Sequence, residues 1–244
     1  MVSKRYNIFL DLDSTCIYSL EVDDTDEKHI KALRDAGMVV KKMNNSYWVV
    51  QRPGLQKFLD FLFENFNVSV WTAATKSYAL WIINKYLTPP GSNRQLQYIL
   101  WNEHCDMCEN KYKADVCKDL SIFWRVYGIS GFDETNTIII DDNHMKVWNS
   151  QECNCLLIRP FEAYDLACKD DDDLERVEDH LKKLLRGELD DKCIVDGGMY
   201  DEDELDEILN TVYDDDDTTV VSSILGDDDN TEIDEFLEEI ETQN

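Results

Sequence analysis

Five short apolar runs limit what this chain can fold into. They are YNIFLDL at 6–12, FNVSVWT at 66–72, QLQYILWN at 95–102, NTIIIDD at 136–142 and NCLLIRP at 154–160. Apolar runs of this length suit strands buried on both faces, as in a parallel sheet, and 95–102 is the weakest of them. Helix-periodic stretches lie between the runs. GLQKFLDFLFENF (54–66) puts Leu55, Phe58, Leu59, Leu62 and Phe63 on one stripe after a Pro-Gly start. KSYALWIINKYL (76–87) puts Leu80, Ile83 and Leu87 on another, and KDLSIFWRVYG (118–128) reads as a third helix closed by Gly128. This alternation predicts a three-layer, doubly wound α/β parallel sheet.

Residues 16–52 break the rhythm. A charged, helix-like piece, DTDEKHIKALRDAG, is followed by a hairpin pattern at 38–50 that turns at Asn44-Asn45. The segment reads as an insertion after the first strand.

Charge divides the chain unevenly. Residues 1–165 carry 18 Lys+Arg against 22 Asp+Glu, and 166–244 carry 6 against 30, so the net −28 splits into −4 and −24. The expected organisation is a catalytic domain over 1–170, an amphipathic helix over 171–190 and an acidic tail over 191–244. High charge and sparse apolar islands predict disorder in that tail. Its field repels nucleic acid. No stretch approaches the roughly 18 to 20 apolar residues of a membrane span. The N-terminal apolar run is broken by Asp11 and is too short for a secretory leader. The reading is a soluble intracellular protein, nuclear or cytoplasmic, with no membrane and no direct nucleic-acid partner. Its eight Cys are then reduced thiols.

Chemistry-bearing residues gather where the elements end. FLDLDST sets Asp11 and Asp13 at the exit of the first strand, VWTAAT sets Thr72 at the exit of the second, and IIIDDN sets Asp141 and Asp142 at the exit of another. Lys118 opens the third helical stretch. An open α/β sheet places its site at such strand ends. Carboxylates on adjacent strand ends form a hard-oxygen cage that suits Mg²⁺. They have no role in a core, where unpaired charges are costly. Asp11 is the candidate nucleophile that accepts a phosphoryl group. Asp13 is the candidate proton donor and, later, the base for water. Thr72 and Lys118 are placed to hold phosphoryl oxygens. Each feature alone has an ordinary alternative: an Asp-x-Asp turn cap, a solvated Lys, an Asp-Asp helix cap. The ordered set does not.

That order resembles the haloacid-dehalogenase superfamily, and more narrowly the NLI-interacting-factor-like, or small RNA polymerase II CTD phosphatase, family. Asp11-Leu12-Asp13-Ser14-Thr15 is similar to the family's Asp-x-Asp-x-Thr motif. Arg52-Pro53-Gly54 looks like its Arg-Pro-Gly helix start. VWTAATKSYA, with Tyr78-Ala79, looks like its second motif, Lys118-Asp119-Leu120-Ser121 its third and IIIDDN its fourth. The resemblance spans about residues 5–165. It implies an aspartate-based phosphoprotein phosphatase acting on phosphoserine or phosphothreonine. It implies Mg²⁺ held by the Asp11 side chain, the Asp13 main-chain carbonyl and Asp141, with Thr15 and Asp142 beside them. It implies that the insertion helps form the substrate groove. Ser14 and Cys16 depart from the family's usual Glu and Leu, and Asp142 stands where small members carry Asn; no catalytic group is lost. The rivals are a phosphatase for a non-protein phosphoester and a silent phosphoprotein-binding module. The family occurs in eukaryotes and large DNA viruses, and the absence of targeting or regulatory domains fits a viral copy.

Other features carry two readings each. Cys105 and Cys108, with His104 and Cys117, have zinc-like spacing but no second Cys-x-x-Cys; core packing is the alternative. Cys16 is an oxidisable thiol or, in acidic surroundings, a packing residue. Cys153 and Cys155 read as packing. Trp48 either stacks on substrate or pins the hairpin. His144 touches the leaving group or is a solvated loop residue. In the tail, LDEILNTVY and IDEFLEEI are acidic-hydrophobic islands for partner docking, or the tail is a solubilising or self-inhibiting end.

Overall fold

The first strand, β1 (Asn7–Leu10), is buried along its whole length. Ile8 and Leu10 face one hydrophobic cluster and Phe9 faces another, as the two-residue period of a strand requires. The computed structural model describes residues 5–106, 108, 118–143 and 154–189. After β1 come β2 (Ile17–Glu21), α1 (Glu27–Asp35), β3 (Val40–Met43), β4 (Tyr47–Gln51), α2 (Leu55–Asn65), β5 (Asn67–Trp71) and α3 (Lys76–Ile82). Then follow β6 (Ile99–Leu100), α4 (Asn102–Asp106), β7 (Thr137–Asp141), β8 (Cys155–Leu157) and α5 (Asp173–Leu185).

Five strands form a parallel sheet in the order β6-β5-β1-β7-β8. Val68, Val70, Ile138 and Ile140 join Ile8 and Leu10 on one face, against α2, α3 and α5. Trp71 and Ile139 join Phe9 on the other, against Leu120, Ile122, Phe123 and Phe132. These are the three layers expected. Because β1 pairs with β5 on one side and β7 on the other, the carboxyl ends of these strands form a topological switch point, where an open sheet of this kind has its ligand crevice.

The insertion holds more than a hairpin. β3 and β4 turn at Asn44, which takes a positive φ of 50°. β2 adds a third antiparallel strand, giving the order β2-β4-β3. α1, N-capped by Asp26, buries Ile30 and Leu33 with Leu20, Val40 and Val50 of this small sheet.

Other elements are shorter than their patterns. Of residues 95–102, Ile99 and Leu100 pair as strand. α3 stops at Ile82 and passes into a π-helical turn, Ile83–Leu87. Tyr86 of this turn is buried in the core, while within α3 the buried residues are Ala79 and Ile82 and Leu80 is 38% exposed, off the expected stripe. The third helix is a single π-helical turn, Ile122–Val126. Lys118 therefore does not open a helix; it lies in a buried bridging segment ahead of the turn.

α5 packs into the first cluster beside α2 through Leu174, Val177, Leu181 and Leu184. Burying each of these is worth about 2 kcal/mol, so the helix is part of the core and not a loose appendage. Among the described residues, no helix is long and apolar enough to cross a membrane.

Candidate active site

Register brings the site together. Leu10 lies level with Val70 on one side and Ile140 on the other, so the next residues, Asp11, Trp71 and Asp141, share one level. The Asp11 N–H donates to the Ile140 carbonyl (3.0 Å), and its side chain is 6% exposed. The chain then turns sharply. Ser14 takes φ +57°, and its N–H donates to Ile17 O, while Cys16 and Ile17 N–H both donate to Leu12 O. This loop swings the half-buried Asp13 toward α3, where the Tyr78 hydroxyl donates to its carboxylate. The Tyr78 hydroxyl also pairs with Ser19 Oγ of β2 (2.6 Å).

Asp141 ends β7, and Asp142 follows it. Oxygens of Asp11, Asp141 and Asp142 lie within 4.8 Å of one another. Lys118, fully buried, bridges two of them: its Nζ donates to Asp11 Oδ1 (2.5 Å) and Asp141 Oδ2 (2.6 Å). Asp141 Oδ1 accepts the Asn143 N–H (2.9 Å), and Asp142 Oδ1 accepts the Thr15 hydroxyl (3.2 Å). Thr72, at the exit of β5, accepts the Ala74 N–H through Oγ1 (3.1 Å), which leaves its own proton to donate.

The electrostatics are unbalanced. Burial pushes the Asp11 carboxyl up to about 8; Asp141 and Asp142 add to the rise, and Lys118 opposes it. Burial disfavours the Lys118 ammonium, yet Asp11 and Asp141 outweigh it and hold its pKa above the ordinary lysine range. Lys118 thus bridges two of three crowded carboxylates, and clustered hard oxygens of this kind suit a divalent cation.

All the expected site residues converge on this crevice: Asp11, Asp13, Thr15, Thr72, Lys118, Asp141 and Asp142. The carboxylate cluster includes Asp142, while the Asp13 carboxylate faces Tyr78. Two contributors were quoted in the sequence only as motif marks. Tyr78 donates to Asp13, and Arg52 reaches back to the loop after β1, donating from Nη1 to Thr15 O (3.2 Å). An Arg conspicuously set before a helix start was the available signal for the second.

The ambiguous residues separate. Trp48 is 9% exposed and lies between Arg34 and Lys42, whose charged ends are 5.1 and 4.7 Å from its ring. It packs the inserted sheet against α1, the pinning role of the two. Tyr47 and Tyr78, edge to face at 5.8 Å, are the aromatic pair beside Asp13. Cys16 donates to the Asp11 main-chain carbonyl (3.3 Å). Burial and then Asp11 push its thiol well above its ordinary pKa, which opposes thiolate chemistry. Cys105 and Cys108 pack in the cluster with Phe9 and Phe123, and among the described residues the carboxylates form the one metal-type group. Cys117, His144, Cys153 and the tail lie outside the described residues.

A sequence model of NLI interacting factor-like phosphatases matches residues 6–192. A CTD phosphatase-like protein of Invertebrate iridescent virus 6 is 38% identical over 181 residues, covering 73% of this chain and 98% of that protein. Its counterpart in Invertebrate iridescent virus 3 is 31% identical over 187 residues, covering 74% and 97%. Among solved structures, Fcp1, described as an essential RNA polymerase II CTD phosphatase, superposes with a TM-score of 0.46 at 19% identity, covering 76% of this chain and 51% of that one.

Proposed function

The chain belongs to the NLI interacting factor-like phosphatase family, and we propose that it is a Mg²⁺-dependent phosphatase for phosphoserine or phosphothreonine in protein, working through an aspartyl-phosphate on Asp11. The observation that carries this reading is the buried Asp11–Lys118–Asp141 bridge, with Asp142 alongside, at the carboxyl ends of β1 and β7.

The donor set fits a hard divalent cation: carboxylate oxygens clustered within 4.8 Å of one another, with Asp11 pushed up by burial and by its acidic neighbours. Asp11, Asp141 and the Asp13 main-chain oxygen would hold Mg²⁺, with Asp142 and Thr15 adjoining. When bound, the ion supplies the positive charge that lets a carboxylate approach a phosphate dianion.

The chain's own groups do the rest. An Asp11 oxygen bonds to phosphorus as the ester P–O bond breaks. Asp13 gives its proton to the departing seryl or threonyl oxygen. Asp13 then takes a proton from water, which attacks phosphorus, releases inorganic phosphate and restores Asp11. Thr72 donates its hydroxyl, and Lys118 its ammonium, to the phosphoryl oxygens as charge builds on them. Tyr78 keeps the Asp13 carboxylate on the leaving-group side. The retained Asp11 and Asp13 speak against a silent binding module.

The test is turnover of p-nitrophenyl phosphate with and without Mg²⁺, by the wild type and by Asp11→Asn. Loss of turnover of at least about 10³-fold in the variant is expected. A wild type with no Mg²⁺-dependent turnover above the variant would refute the reading. A phosphopeptide panel against small phosphoesters then tests the substrate class, with faster kcat/KM on phosphoserine or phosphothreonine peptides expected. For the acidic tail we propose partner docking. Since α5 belongs to the core, the comparison chain should end at residue 189. Equal rates and equal Mg²⁺ dependence with the full chain would exclude self-inhibition.

A further inference from the structure

Ser14 follows the proton-transfer residue Asp13 and is one of two non-glycine residues with positive φ among the described residues. A left-handed residue with a Cβ costs on the order of 1 kcal/mol, and such a conformation lasts only where its surroundings over-determine it. Here three successive carbonyls are tied from one side. Ser14 O accepts the Phe161 N–H (2.6 Å) and Arg52 Nη1 (3.4 Å). Thr15 O accepts Arg52 Nη1 (3.2 Å), and Cys16 O accepts the Arg52 main-chain N–H (3.0 Å).

Arg52 is fully buried, so its charge needs a partner. Its hydrogen-bonded partner is 119 residues away, with Asp173 Oδ2 a second carboxylate at 3.8 Å from Nη2. Asp171 accepts from Nε (2.7 Å) and Nη2 (2.8 Å), a two-pronged contact that fixes the plane of the guanidinium. Arg159 O accepts from Nη2 (2.9 Å), and the Phe161 ring lies 5.5 Å from the guanidinium carbon. The segment from Arg159 to Asp173 is itself closed: Asp173 accepts from the Arg159 N–H (2.7 Å) and Nε (2.8 Å). It forms a strap whose Asp171 sets the azimuth of Arg52, and with it the direction of Nη1 toward the loop.

Building on the proposed phosphatase reading, we propose that Asp171 is a positioning residue that acts through Arg52 to hold the Asp13–Cys16 loop, and so the Asp13 carboxylate, in its reactive placement. Removing Asp171 frees the guanidinium to turn and leaves the strained loop tied on one side less. The effect belongs in the rate of the chemical step more than in substrate affinity, because Asp171 touches no substrate atom.

The test uses the full chain with Asp171→Ala, Asp171→Asn and, as a control, the exposed Asp170→Asn. A kcat lower by about 10- to 100-fold is expected for both Asp171 variants on p-nitrophenyl phosphate. KM should stay within about threefold of wild type and the control should behave as wild type. A kcat within about twofold of wild type in a folded Asp171→Asn, even with a lowered Tm, overturns the proposal and makes the strap a stability element. Failure of both Asp171 variants to fold has the same consequence. Amide hydrogen exchange of the peptide covering 11–17 gives a second readout that needs no activity. Faster exchange in Asp171→Asn supports the link, and unchanged exchange overturns it. If the wild type proves inactive, the phosphatase reading fails and exchange still decides the strap.

Discussion

Two clusters of buried acids meet the loop that leaves β1, and they are balanced in opposite ways. In the first, Asp11, Asp141 and Asp142 crowd together, Lys118 bridges two of them, and Asp11 is pushed up to about 8. In the second, Asp171 and Asp173 meet Arg52, Arg159 and Arg176. Burial works against the Asp173 carboxylate, but hydrogen bonds from Arg176 and Arg159 together hold it down at about 2. The same residue type has its carboxyl pushed up in one place and held down in the other. On the proposed reading, the first cluster receives a cation and a phosphate, and the second holds the frame still.

The contrast can be broken most severely at Lys118. Lys118→Ala leaves Asp11 and Asp141 buried without their bridge, and activity should fall by about 10³-fold. Its Tm without Mg²⁺ should drop, and added Mg²⁺ should raise it more than it raises the wild-type value. A Tm insensitive to Mg²⁺ would show that the first cluster is satisfied by protein groups alone.

Arg52→Ala is the matching change in the second cluster. It strands Asp171 and should cost about 3 kcal/mol in urea unfolding. This loss should not respond to Mg²⁺ beyond the wild-type response; a selective rescue would erase the distinction between the clusters.

Acid unfolding probes the second cluster more gently. The folded pKa of Asp173, about 2, lies below its ordinary 3.8. Its contribution is therefore full above about pH 4 and is lost as pH falls through about 2. The amount is about 2 kcal/mol. Asp173→Asn should unfold more easily near neutrality and show a flatter decline across that window. An unchanged slope would contradict the assignment. The exposed Lys57–Glu175 pair between α2 and α5 sets the lower end of the scale. Glu175→Gln should shift stability by less than about 0.5 kcal/mol.

The two clusters also differ in how readable they were. Asp11, Thr72 and Asp141 stand at the ends of apolar runs, so strand period and strand-end chemistry sufficed to find them. Lys118 was found by its order in the chain, but its helix was not there: the segment is drawn into the core by its two carboxylates, and a π-helical turn follows. β2 was missed because Ile17–Glu21 runs straight off the catalytic loop, with no turn residue to mark a new strand. Trp48 read equally well as a surface or a core residue, and its place was settled by α1 folding over it. The Arg52–Asp171 contact spans 119 residues. Asp171 sits in an Asp run that resembles a solvated acid stretch, and no local period could single it out. For the same reason α5 read as an amphipathic helix with no assigned place, since its apolar stripe shows amphipathicity but not the partner.

The central claim is that Asp11 carries the phosphoryl group. The most direct test is mass spectrometry of acid-quenched Asp13→Asn protein after incubation with substrate and Mg²⁺. Slowed hydrolysis of the intermediate should leave a phosphate on the peptide containing Asp11, and Asp11→Asn should show none. A phosphate on a different residue, or turnover in Asp11→Asn at the wild-type rate, would contradict it.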